Sequence, residues 1–372
     1  MPVKRPPHPR PLPEGGGVSQ QHSGIQRIAI VRLSALGDVT LLLPVIETLK
    51  QAVPRAQITW ITGTAAHRLL EGISGVEFIV FDKSRGLRAY SDLRQRLRGR
   101  EFDVLLAMQA SWRANFIYPL ISAPVKIGFD RVRARDGQWL FTNRHIPFAR
   151  QHLLDSFFAF IEALGITQRA MNWNLPLTEA NKAWAAARVP RDRGPVLAVN
   201  PGASKPEREW PVARLIEVIR EAQRRWGVHI VLTGGASERE RETGRKITQA
   251  ISVTIRSLIG QTTPKQLAAV LARVDCLLAP DTGPVHIAGA VGTPVVGLYA
   301  VAPPQLSGPY LYPDLAINRF PEAVRTILGR DPRTVEWTTR VHRGEPMQLI
   351  QVEEVLSRLA QIFEKKNPGT HA

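Results

Sequence analysis

The sequence predicts an α/β protein made of two Rossmann-like, doubly wound domains that face each other across a cleft. From residue 27 onward, short apolar runs with strand character alternate with helical runs, a pattern typical of βα units around a parallel sheet. The alternation stops in a charged, proline-bearing stretch near residues 180–194 and starts again at Val196. A chain of 372 residues is long enough to form two such domains, each with its own core.

The first domain is expected to span residues 25–185. Its strand-like runs are RIAIVRL, QITWIT, VEFIVFD and DVLLAMQ, and its helical runs are the stretch that ends at about Ala52, AAHRLLEGI and LLDSFFAFIEALGI. In the last of these, apolar residues recur three and four positions apart, which indicates a helix with one buried face. The preceding residues 1–24 are rich in Pro, Gly and polar residues and lack the apolar run of a signal peptide, so we expect a disordered leader.

The second domain is expected to span residues 190–345. Its strand-like runs are VLAVNPG, HIVLTGG, TIRSLIG, DCLLAPD and PVVGLYA, and its helical runs are PVARLIEVIREAQRRWG, SERERETGRKITQAI and TPKQLAAVLARV. Residues 302–345 show no regular period, and a final amphipathic helix within residues 346–366 is expected to pack back on the first domain. Because parallel strands end at one edge of a sheet, a ligand should bind in the cleft at the carboxyl ends of both sheets.

The charge of the chain is strongly positive and unevenly distributed. The net charge is +17, and residues 83–150 hold 14 Lys or Arg against 5 Asp or Glu, an excess of 9. This concentration favours an anionic partner such as nucleic acid, a phospholipid surface or a phosphorylated substrate, with a solvated basic face as the alternative.

The single cysteine, Cys276, excludes an intramolecular disulfide and fits a reducing compartment. No apolar run reaches the roughly 18 residues that span a bilayer, so we expect a protein that is soluble or attached at a membrane surface.

A tight turn after the strand DCLLAPD combines several groups that suit a diphosphate. Asp281 and Thr282 supply a carboxylate and a hydroxyl, Gly283 leaves the backbone accessible, and Pro284 suits the first turn of a helix. The exposed amides and the positive end of that helix favour an anion, although Asp and Thr are also common helix caps. His286, one turn into the helix, is either a phosphate donor or a packed core histidine.

Two further strand ends in the second domain carry similar groups. VLAVNPG is followed by the cations Lys205 and Arg208, and HIVLTGG ends in Gly234 and Gly235, with Glu238 shortly after. Small residues let a ligand approach the backbone, cations bind phosphate, and a carboxylate can accept hydrogen bonds from ribose hydroxyls. We therefore predict a nucleotide site. Neither a Walker motif nor GxGxxG is present, which argues against a kinase or a dehydrogenase, and no HExxH, CxxC or other ligand set indicates a metal.

A carboxylate also lies at a break in the first domain. In RIAIVRLSALGDVTLLLPV, the strand ends and an apolar helical run begins around Gly37 and Asp38. The glycine suits a tight turn. The carboxylate of Asp38 is either a helix cap, which would satisfy free amides, or a catalytic group facing the cleft.

Six stretches of the sequence, taken in order, resemble glycosyltransferase family nine, the ADP-heptose:lipopolysaccharide heptosyltransferases. They are RLSALGDVTLLLPV, MQASWRANFI, KIGFDRVRARD, NPGASKPEREWP, VLTGGASERE and DTGPVHIAGAVGTPVVGLY, spread over residues 27 to about 300. The resemblance implies a GT-B fold, with an ADP-sugar donor held by the C-terminal domain and an acceptor held by the N-terminal domain. The segment 302–345 departs from the family's pattern, which leaves the details of acceptor binding open.

The resemblance also assigns roles to single residues. Asp38 corresponds to the aspartate that serves the family as catalytic base. Arg208 stands where the family usually has a phosphate-binding lysine, and arginine can bind phosphate bidentately. The family's acid after the glycine-rich strand end falls on Glu238, with a register that is uncertain by one or two residues.

The implied reaction is an inverting transfer of heptose from ADP-heptose to the Kdo-containing inner core of lipid A, at the cytoplasmic face of the inner membrane. A sugar hydroxyl is a weak nucleophile near neutral pH, so a base at Asp38 would assist its attack. Amides around Thr282 and the Arg208 cation would stabilise the leaving ADP without a metal, and no cofactor is expected because the ADP-sugar is a substrate. The candidate acceptor contacts in the basic segment are Arg85, Arg88, Arg113, Arg131, Arg133 and Arg135.

Other functions remain as alternatives. The positive charge suits a nucleic-acid-binding protein, but the sequence contains no recognised module or aromatic–basic platform, so we expect no nucleic-acid partner. A second alternative is another GT-B nucleotide-sugar enzyme, with a different donor or with epimerase or hydrolase activity. The third is a sugar-nucleotide sensor without catalysis, against which Asp38 argues.

Overall fold

The computed structural model describes residues 24–189, 191, 194–251 and 255–366. Apart from Gly24, the expected leader at residues 1–24 lies outside the described residues, and its disorder stays a prediction. Within the described ranges, no helix combines the length and the apolar character needed to cross a membrane.

Two parallel sheets of six strands form the two domains. The strands of the first domain are β1 (Arg27–Val31), β2 (Gln57–Gly63), β3 (Val76–Phe81), β4 (Val104–Leu106), β5 (Val125–Gly128) and β6 (Arg144–His145). Those of the second domain are β7 (Val196–Val199), β8 (His229–Leu232), β9 (Ile255–Ser257), β10 (Cys276–Pro280), β11 (Val295–Tyr299) and β12 (Ile317–Asn318). The strand orders are β3-β2-β1-β4-β5-β6 and β12-β11-β10-β7-β8-β9. Counted within its own domain, each sheet therefore has the order 3-2-1-4-5-6 of doubly wound nucleotide-binding folds, which confirms the α/β prediction.

Helices cover both faces of each sheet. The helices of the first domain and of the connection are α1 (Leu43–Ala52), α2 (Thr64–Leu70), α3 (Arg88–Leu97), α4 (Trp112–Asn115), α5 (Leu153–Glu162) and α6 (Glu179–Ala186). They are followed by α7 (Val212–Trp226), α8 (Glu238–Ala250), α9 (Pro264–Leu271), α10 (Gly283–Ala290), α11 (Pro304–Ser307), α12 (Phe320–Leu328) and α13 (Val352–Lys366). Because the central strands are covered on both sides, β7, β10 and β11 are buried along their whole length.

The helix ends follow local sequence rules. α9 begins with a capping box, in which Thr263 and Gln266 each bind the other's backbone amide, and Pro264 occupies the first turn. α7 ends at Gly227, whose left-handed backbone a residue with a Cβ adopts only at a cost. These boundaries agree with the helices predicted from the sequence.

The two domains pack directly on each other. α6 and α2 both lie against α9 of the second domain, and α10 lies against the single turn of 3₁₀ helix at Thr40–Leu42 in the first. One buried apolar cluster is continuous across this interface. α6, in the stretch where the alternation of strands and helices stops, is therefore a folded connection that packs on the second domain.

The C-terminal part differs from two expectations. α13 packs on α7 and joins the apolar cluster of the second sheet, with Phe363 stacked on Trp226 at 5.7 Å between ring centroids. The prediction that this helix packs back on the first domain is therefore wrong, because its apolar face fits its own domain's outer layer. The segment 302–345 is also more regular than expected, since it contains α11, β12 and α12.

Candidate functional site

The loop after β1 holds the Asp38 carboxylate in a fixed direction. Nη2 of Arg32 forms an ion-paired hydrogen bond with Oδ2 of Asp38, while Nη1 of Arg32 donates to the carbonyl oxygen of Met108 at 2.8 Å. The guanidinium of Arg32 also lies over the Phe157 ring, 5.1 Å from its centroid. Met108 follows β4, so the arginine connects the loops after β1 and β4, where the strand order of the first sheet reverses.

Asp38 does not act as a helix cap. Neither the turn at Thr40–Leu42 nor α1 receives a side-chain hydrogen bond at its amino end. The carboxylate is about one quarter exposed, with a side-chain exposure of 25%. The capping interpretation of Asp38 is therefore wrong, and the group remains accessible for chemistry.

The Asp38 loop touches the predicted diphosphate loop through two glycines. A Cβ atom at Gly37 would lie 2.6 Å from Cα of Gly283, 2.7 Å from its carbonyl oxygen and 2.9 Å from Cδ2 of His286. Non-bonded atoms do not approach so closely, so only glycine at position 37 permits this contact. The structure thereby brings Asp38 beside the start of α10.

The turn at Asp281–Pro284 leaves the amino end of α10 without a side-chain cap. Thr282 occupies the cap position with an extended backbone, but its hydroxyl does not bond to the helix amides. The carboxylate of Asp281 lies 3.2 Å from Nη1 of Arg208 and accepts a hydrogen bond of 3.2 Å from Ser307. Pro284 has no amide hydrogen and the amide of Val285 donates to the carbonyl of Thr282, but since neither side chain caps the helix, its positive end is available to an anion.

Arg208 connects two loops at the switch point of the second sheet. It follows β7, and its partner Asp281 follows the neighbouring strand β10. Its buried Nε has no hydrogen-bond partner among the described residues. Lys205, three residues earlier, is exposed. Arg208 therefore lies beside the turn at the start of α10, and its role in binding phosphate stays a prediction.

A third cation, which the sequence did not reveal, comes from the segment 302–345. Arg340 is partly buried and bonds to the carbonyls of Thr338 and Thr339 at 3.0 and 2.9 Å. Burial is the main cause that lowers the pKa of Arg340 to about 10, while the Asp281 carboxylate opposes the shift and Arg208 and Arg135 add to it. The guanidinium therefore lies in the cleft among charged groups of both domains.

Neighbouring contacts fix the position of Arg340. The amide of Val341 donates to Val301 at 2.9 Å, just beyond β11, and Nδ1 of His342 lies 2.8 Å from Glu207, next to Arg208. At the other end of the same segment, Nη2 of Arg150 donates to Val335 at 3.2 Å. The segment thus bridges the domains. In the stretch TTRVHRG, the apolar Val341 lies between Arg340 and His342, which fits a loop anchored by one buried side chain. The stretch has no periodic pattern, so the sequence alone gave little signal.

The acid at the glycine-rich strand ends is Glu240, not Glu238. Glu238 is exposed and pairs with Arg245 along α8. Oε1 of Glu240 instead accepts the amide of Gly235 at 2.7 Å, and a Cβ at Gly202 would lie 2.7 Å from Cγ of Glu240. Gly234 also borders this carboxylate. Glu240, the third residue of α8, therefore faces the glycine-rich strand ends, whereas Glu238, on which the resemblance placed the ribose-binding acid, does not. The binding of ribose by either residue stays a prediction.

Two buried histidines lie near Asp38. Burial is the main cause that lowers the pKa of His286, and the Asp38 and Asp281 carboxylates only partly oppose it. Its ring packs against Gly37, which fits the packed-histidine alternative, and the role of His286 as a phosphate donor stays a prediction. Burial, reinforced by His286, lowers the pKa of His152 to about 4. Nδ1 of His152 accepts the amide of Leu154, so Nε2 carries the proton and donates to Gly308 across the domain interface at 3.1 Å.

The candidate acceptor arginines fall into two groups. Arg133 is held by the first domain itself, since Nη1 donates to Ser156 at 2.8 Å, Nη2 to Pro147 at 2.7 Å, and Nε pairs with Asp130. We therefore assign Arg133 a structural role. The other five are exposed, and of these Arg85 pairs with Asp92 at 2.6 Å while Arg131 lies over a tryptophan ring. These five are Arg85, Arg88, Arg113, Arg131 and Arg135.

The described residues contain no group of three or more His, Cys, Asp or Glu side chains placed to hold a metal ion. Metal independence stays a prediction that chelation can test.

Known proteins resemble this chain in sequence and in fold. The model of glycosyltransferase family 9 (heptosyltransferase) matches residues 90–320. Over 337 residues, the chain is 34% identical to the lipopolysaccharide core heptosyltransferase OpsX of Haemophilus influenzae, covering 90% of this chain and 96% of the relative. It is also 22% identical to lipopolysaccharide heptosyltransferase 1 of Escherichia coli K12 over 301 residues, which covers 76% and 91% of the two chains.

Solved structures show the same fold. A glycosyl transferase family 9 protein from Veillonella parvula superimposes with a TM-score of 0.76 at 21% identity, covering 94% of this chain and all of the other. The E. coli heptosyltransferase WaaC, solved with ADP-2-deoxy-2-fluoro heptose, gives a TM-score of 0.66 at 18% identity, covering 90% and 99%. The expected GT-B architecture and the resemblance noted in the sequence are both confirmed. The chain therefore belongs to glycosyltransferase family 9, a family of heptosyltransferase enzymes.

Proposed function

We propose that this protein transfers a heptosyl group from ADP-heptose to a hydroxyl group in the Kdo-containing inner core of lipid A, with inversion at the anomeric carbon. The observation that carries the proposal is the contact between Gly37 and Gly283, which sets the Asp38 carboxylate beside an uncapped helix end. Two relatives support the choice of substrates, because one is named a lipopolysaccharide core heptosyltransferase and another was solved with an ADP-heptose analogue.

The donor diphosphate would bind at the amino end of α10. Its negative charge suits the first-turn amides of that helix and the guanidinium groups of Arg208 and Arg340. When the bond between the anomeric carbon and the phosphate oxygen breaks, negative charge develops on the leaving ADP. The positive end of α10 and both arginines would stabilise that charge, and because they are held by the protein, little reorganisation would be needed. Glu240 would approach the ribose from the glycine-rich strand ends.

The acceptor hydroxyl would attack the anomeric carbon from the side opposite the leaving ADP. Its oxygen forms the new glycosidic bond, and its proton passes to the carboxylate of Asp38. The hydrogen bond from Arg32 holds that carboxylate in one orientation. Attack from the opposite side inverts the configuration, as in inverting glycoside hydrolysis.

The acceptor is a membrane lipid, so the enzyme would work as a peripheral protein at the cytoplasmic face of the inner membrane. The local excess of positive charge in residues 83–150 supports attraction to anionic lipid and to a phosphorylated acceptor. The exposed arginines of that segment, Arg85, Arg88, Arg113, Arg131 and Arg135, are the proposed contacts with the phosphorylated acceptor and its membrane.

Product identification tests this function directly. The purified full chain is incubated with a panel of ADP- and UDP-sugars and with lipopolysaccharide that lacks heptose, and products are identified by mass. We expect addition of one heptose from ADP-heptose alone, persisting in excess EDTA. Sugar-nucleotide hydrolysis or epimerisation without acceptor, transfer from another donor, or EDTA loss that a divalent ion restores would each contradict the corresponding part of the proposal. The Asp38→Asn variant serves as a matched inactive control.

A further inference from the structure

Exposed large apolar side chains are concentrated in the basic part of the first domain. Among the described residues, nine such side chains are exposed, and seven of them lie between residues 87 and 148. They are Leu87, Trp112, Phe116, Val132, Trp139, Leu140 and Phe148. Single exposed apolar residues are ordinary, whereas a cluster of them marks an interaction surface.

The structure joins several of these residues into one surface, which we call the aromatic–arginine patch. The patch consists of Trp112, Arg113, Phe116, Arg131, Trp139 and Leu140. The rings of Trp112 and Phe116 are stacked, with centroids 6.0 Å apart and planes inclined by 25°. Phe116 lies 6.4 Å from the ring of Phe141, the residue that follows Leu140. Arg131 lies over the Trp139 ring at 5.5 Å.

Hydrogen bonds hold the two halves of the patch together. The amide of Trp112 donates to Oδ2 of Asp136 at 2.9 Å, and Nδ2 of the buried Asn115 donates to the carbonyl of Asp136 at 2.7 Å. The neighbouring Ala114 and Ile117 are fully buried in the domain core. The exposed side chains are therefore presented by a fixed scaffold.

We propose that the aromatic–arginine patch docks the protein on an anionic lipid bilayer. Its Trp, Phe and Leu side chains would enter the boundary between headgroups and acyl chains, and its arginines would bind lipid phosphates. This combination is the one that interfacial membrane proteins use, since aromatic rings favour the headgroup level and cations gain from the negative surface potential. The proposal rests on the proposed function in that the bilayer carries the acceptor.

The patch lies next to the mouth of the cleft. Trp112 lies three residues after Gln109, and Oε1 of Gln109 accepts the amide of Leu33, at the start of the loop that leads to Asp38, at 2.7 Å. Arg135 begins the turn that carries Trp139 and lies near the cleft residue Arg340. A protein docked through the patch would hold the acceptor-binding side of the cleft near the headgroups. A lipid-linked acceptor could then reach Asp38 without leaving the membrane.

Two other occupants fit the patch less well. Aromatic and basic side chains together can bind single-stranded nucleic acid, and the structure assembles such a combination from two separate segments that the sequence did not connect. However, Trp112 and Phe116 stack on each other, and Leu140 offers no surface for a base. A second copy of the chain, paired through the same patch, would bring like charges of Arg113 and Arg131 together.

Vesicle binding by the full chain tests the proposal. Wild type and a Trp112→Ser/Phe116→Ser variant are sedimented with phosphatidylcholine vesicles, with and without phosphatidylglycerol. We expect wild type to bind only the anionic vesicles and the variant to bind them about tenfold or more weakly, because two large apolar side chains no longer leave water. Met171→Ser and Leu311→Ser, at exposed apolar positions outside the patch, should bind as wild type does.

A second measurement separates this proposal from the enzymatic one. Transfer to a water-soluble acceptor without acyl chains should be unchanged in the Trp112→Ser/Phe116→Ser variant, which also shows that it is folded, while transfer to acceptor in vesicles should fall. Equal vesicle binding by variant and wild type would overturn the patch and leave the enzymatic proposal standing. The proposal would also be overturned if the variant bound vesicles as wild type does but lost binding to an oligonucleotide. It would be overturned equally if the variant kept vesicle binding but no longer formed a dimer that wild type forms. If the wild-type protein transfers no heptose, the proposed function fails, but the vesicle assay still shows whether the patch binds anionic lipid.

Discussion

The side chain of Asp38 is held by a hydrogen bond from Arg32 and is partly exposed. A general base must be charged, accessible and held in one orientation. The ion pair with Arg32 supplies the orientation, and Arg32 itself is held by the carbonyl of Met108 and the ring of Phe157. A carboxylate with this support and without a capping role has the properties of a reactive group.

The first prediction concerns Asp38→Asn. Asparagine keeps the size of the side chain but cannot accept a proton, so turnover should fall by about 10² to 10⁴. ADP affinity should change little, because Asp38 belongs to the first domain and the predicted donor-binding groups belong to the second. Turnover, ADP affinity and the thermal midpoint are measured on one preparation. Near-normal turnover would show that Asp38 is not the base.

The second prediction concerns Arg340. Arg340→Ala should weaken ADP binding and raise the donor KM by roughly 10- to 100-fold, the usual effect of losing a hydrogen bond between charged groups. Arg340→Lys should restore part of the affinity, and Arg343→Ala, at an exposed position three residues away, should have no effect. Titration calorimetry with ADP gives the values. A change confined to the acceptor KM would assign Arg340 to the acceptor instead.

The third prediction concerns pH and His152. Its folded pKa of about 4 lies below the unfolded value of about 6.5, so the unfolded chain binds more protons between these values. The stabilisation is therefore complete above about 6.5 and is lost as pH falls toward 4, with a total on the order of 3 kcal/mol. His286, whose pKa burial also lowers, acts in the same direction. In urea unfolding, His152→Gln should show a smaller loss of stability on acidification than wild type, and equal losses would contradict this account.

At the scale of elements, the sequence predicted strands and helices well where a periodic pattern exists. β1, β7 and β10 are apolar runs that the structure buries, and α7 and α9 follow their predicted ranges. The elements of the segment 302–345 were harder to predict, because they are short. The position of the segment depends on contacts with residues distant in sequence, such as Arg150. α13 was predicted to exist but assigned to the wrong domain, since an apolar helix face does not specify which partner covers it.

The sequence also predicted some residues of the candidate site but not others. Asp38, Arg208 and the turn at Asp281–Pro284 follow strand ends, where sequence alone indicates proximity to the cleft. Glu240 could not be separated from Glu238 by composition, because the choice depends on which face of α8 meets the sheet. The side chain at position 240 lies over Gly202 and Gly235, while the one at 238 lies in solvent.

The fourth prediction uses this pair of glutamates. If Glu240 binds the ribose, Glu240→Gln should weaken ADP affinity severalfold, because the group that accepts from Gly235 and Ser237 loses its charge. Glu238→Gln is the matched control on the same helix and should bind ADP as wild type does. Calorimetry on both variants, with thermal midpoints, decides the assignment. A larger effect at position 238 would restore the register first assigned from the sequence.

At the scale of the whole molecule, catalysis depends on how the two domains meet. Hydrogen bonds cross the interface from His152 to Gly308 at 3.1 Å, from Tyr310 to Asp155 at 3.0 Å and from Arg150 to Val335 at 3.2 Å. These contacts hold the two domains in the arrangement in which the loop of Asp38 meets α10. The sequence showed two domains and a cleft, but the distance between the loops is a property of the assembled molecule.

The last prediction tests that distance. Gly37→Ala places a methyl group 2.6 Å from the backbone of Gly283, so the loops must separate by about 1 Å, a misplacement that can cost about 10²-fold in turnover. Gly289→Ala, in α10 but with open space around the new methyl group, is the control and should keep normal turnover. Both variants should bind nucleotide to a similar degree, because the donor groups belong to the second domain. If Gly37→Ala were as active as Gly289→Ala, the direct contact between the loops would not be needed at the chemical step, and the base would have to reach the acceptor from a more open arrangement of the domains.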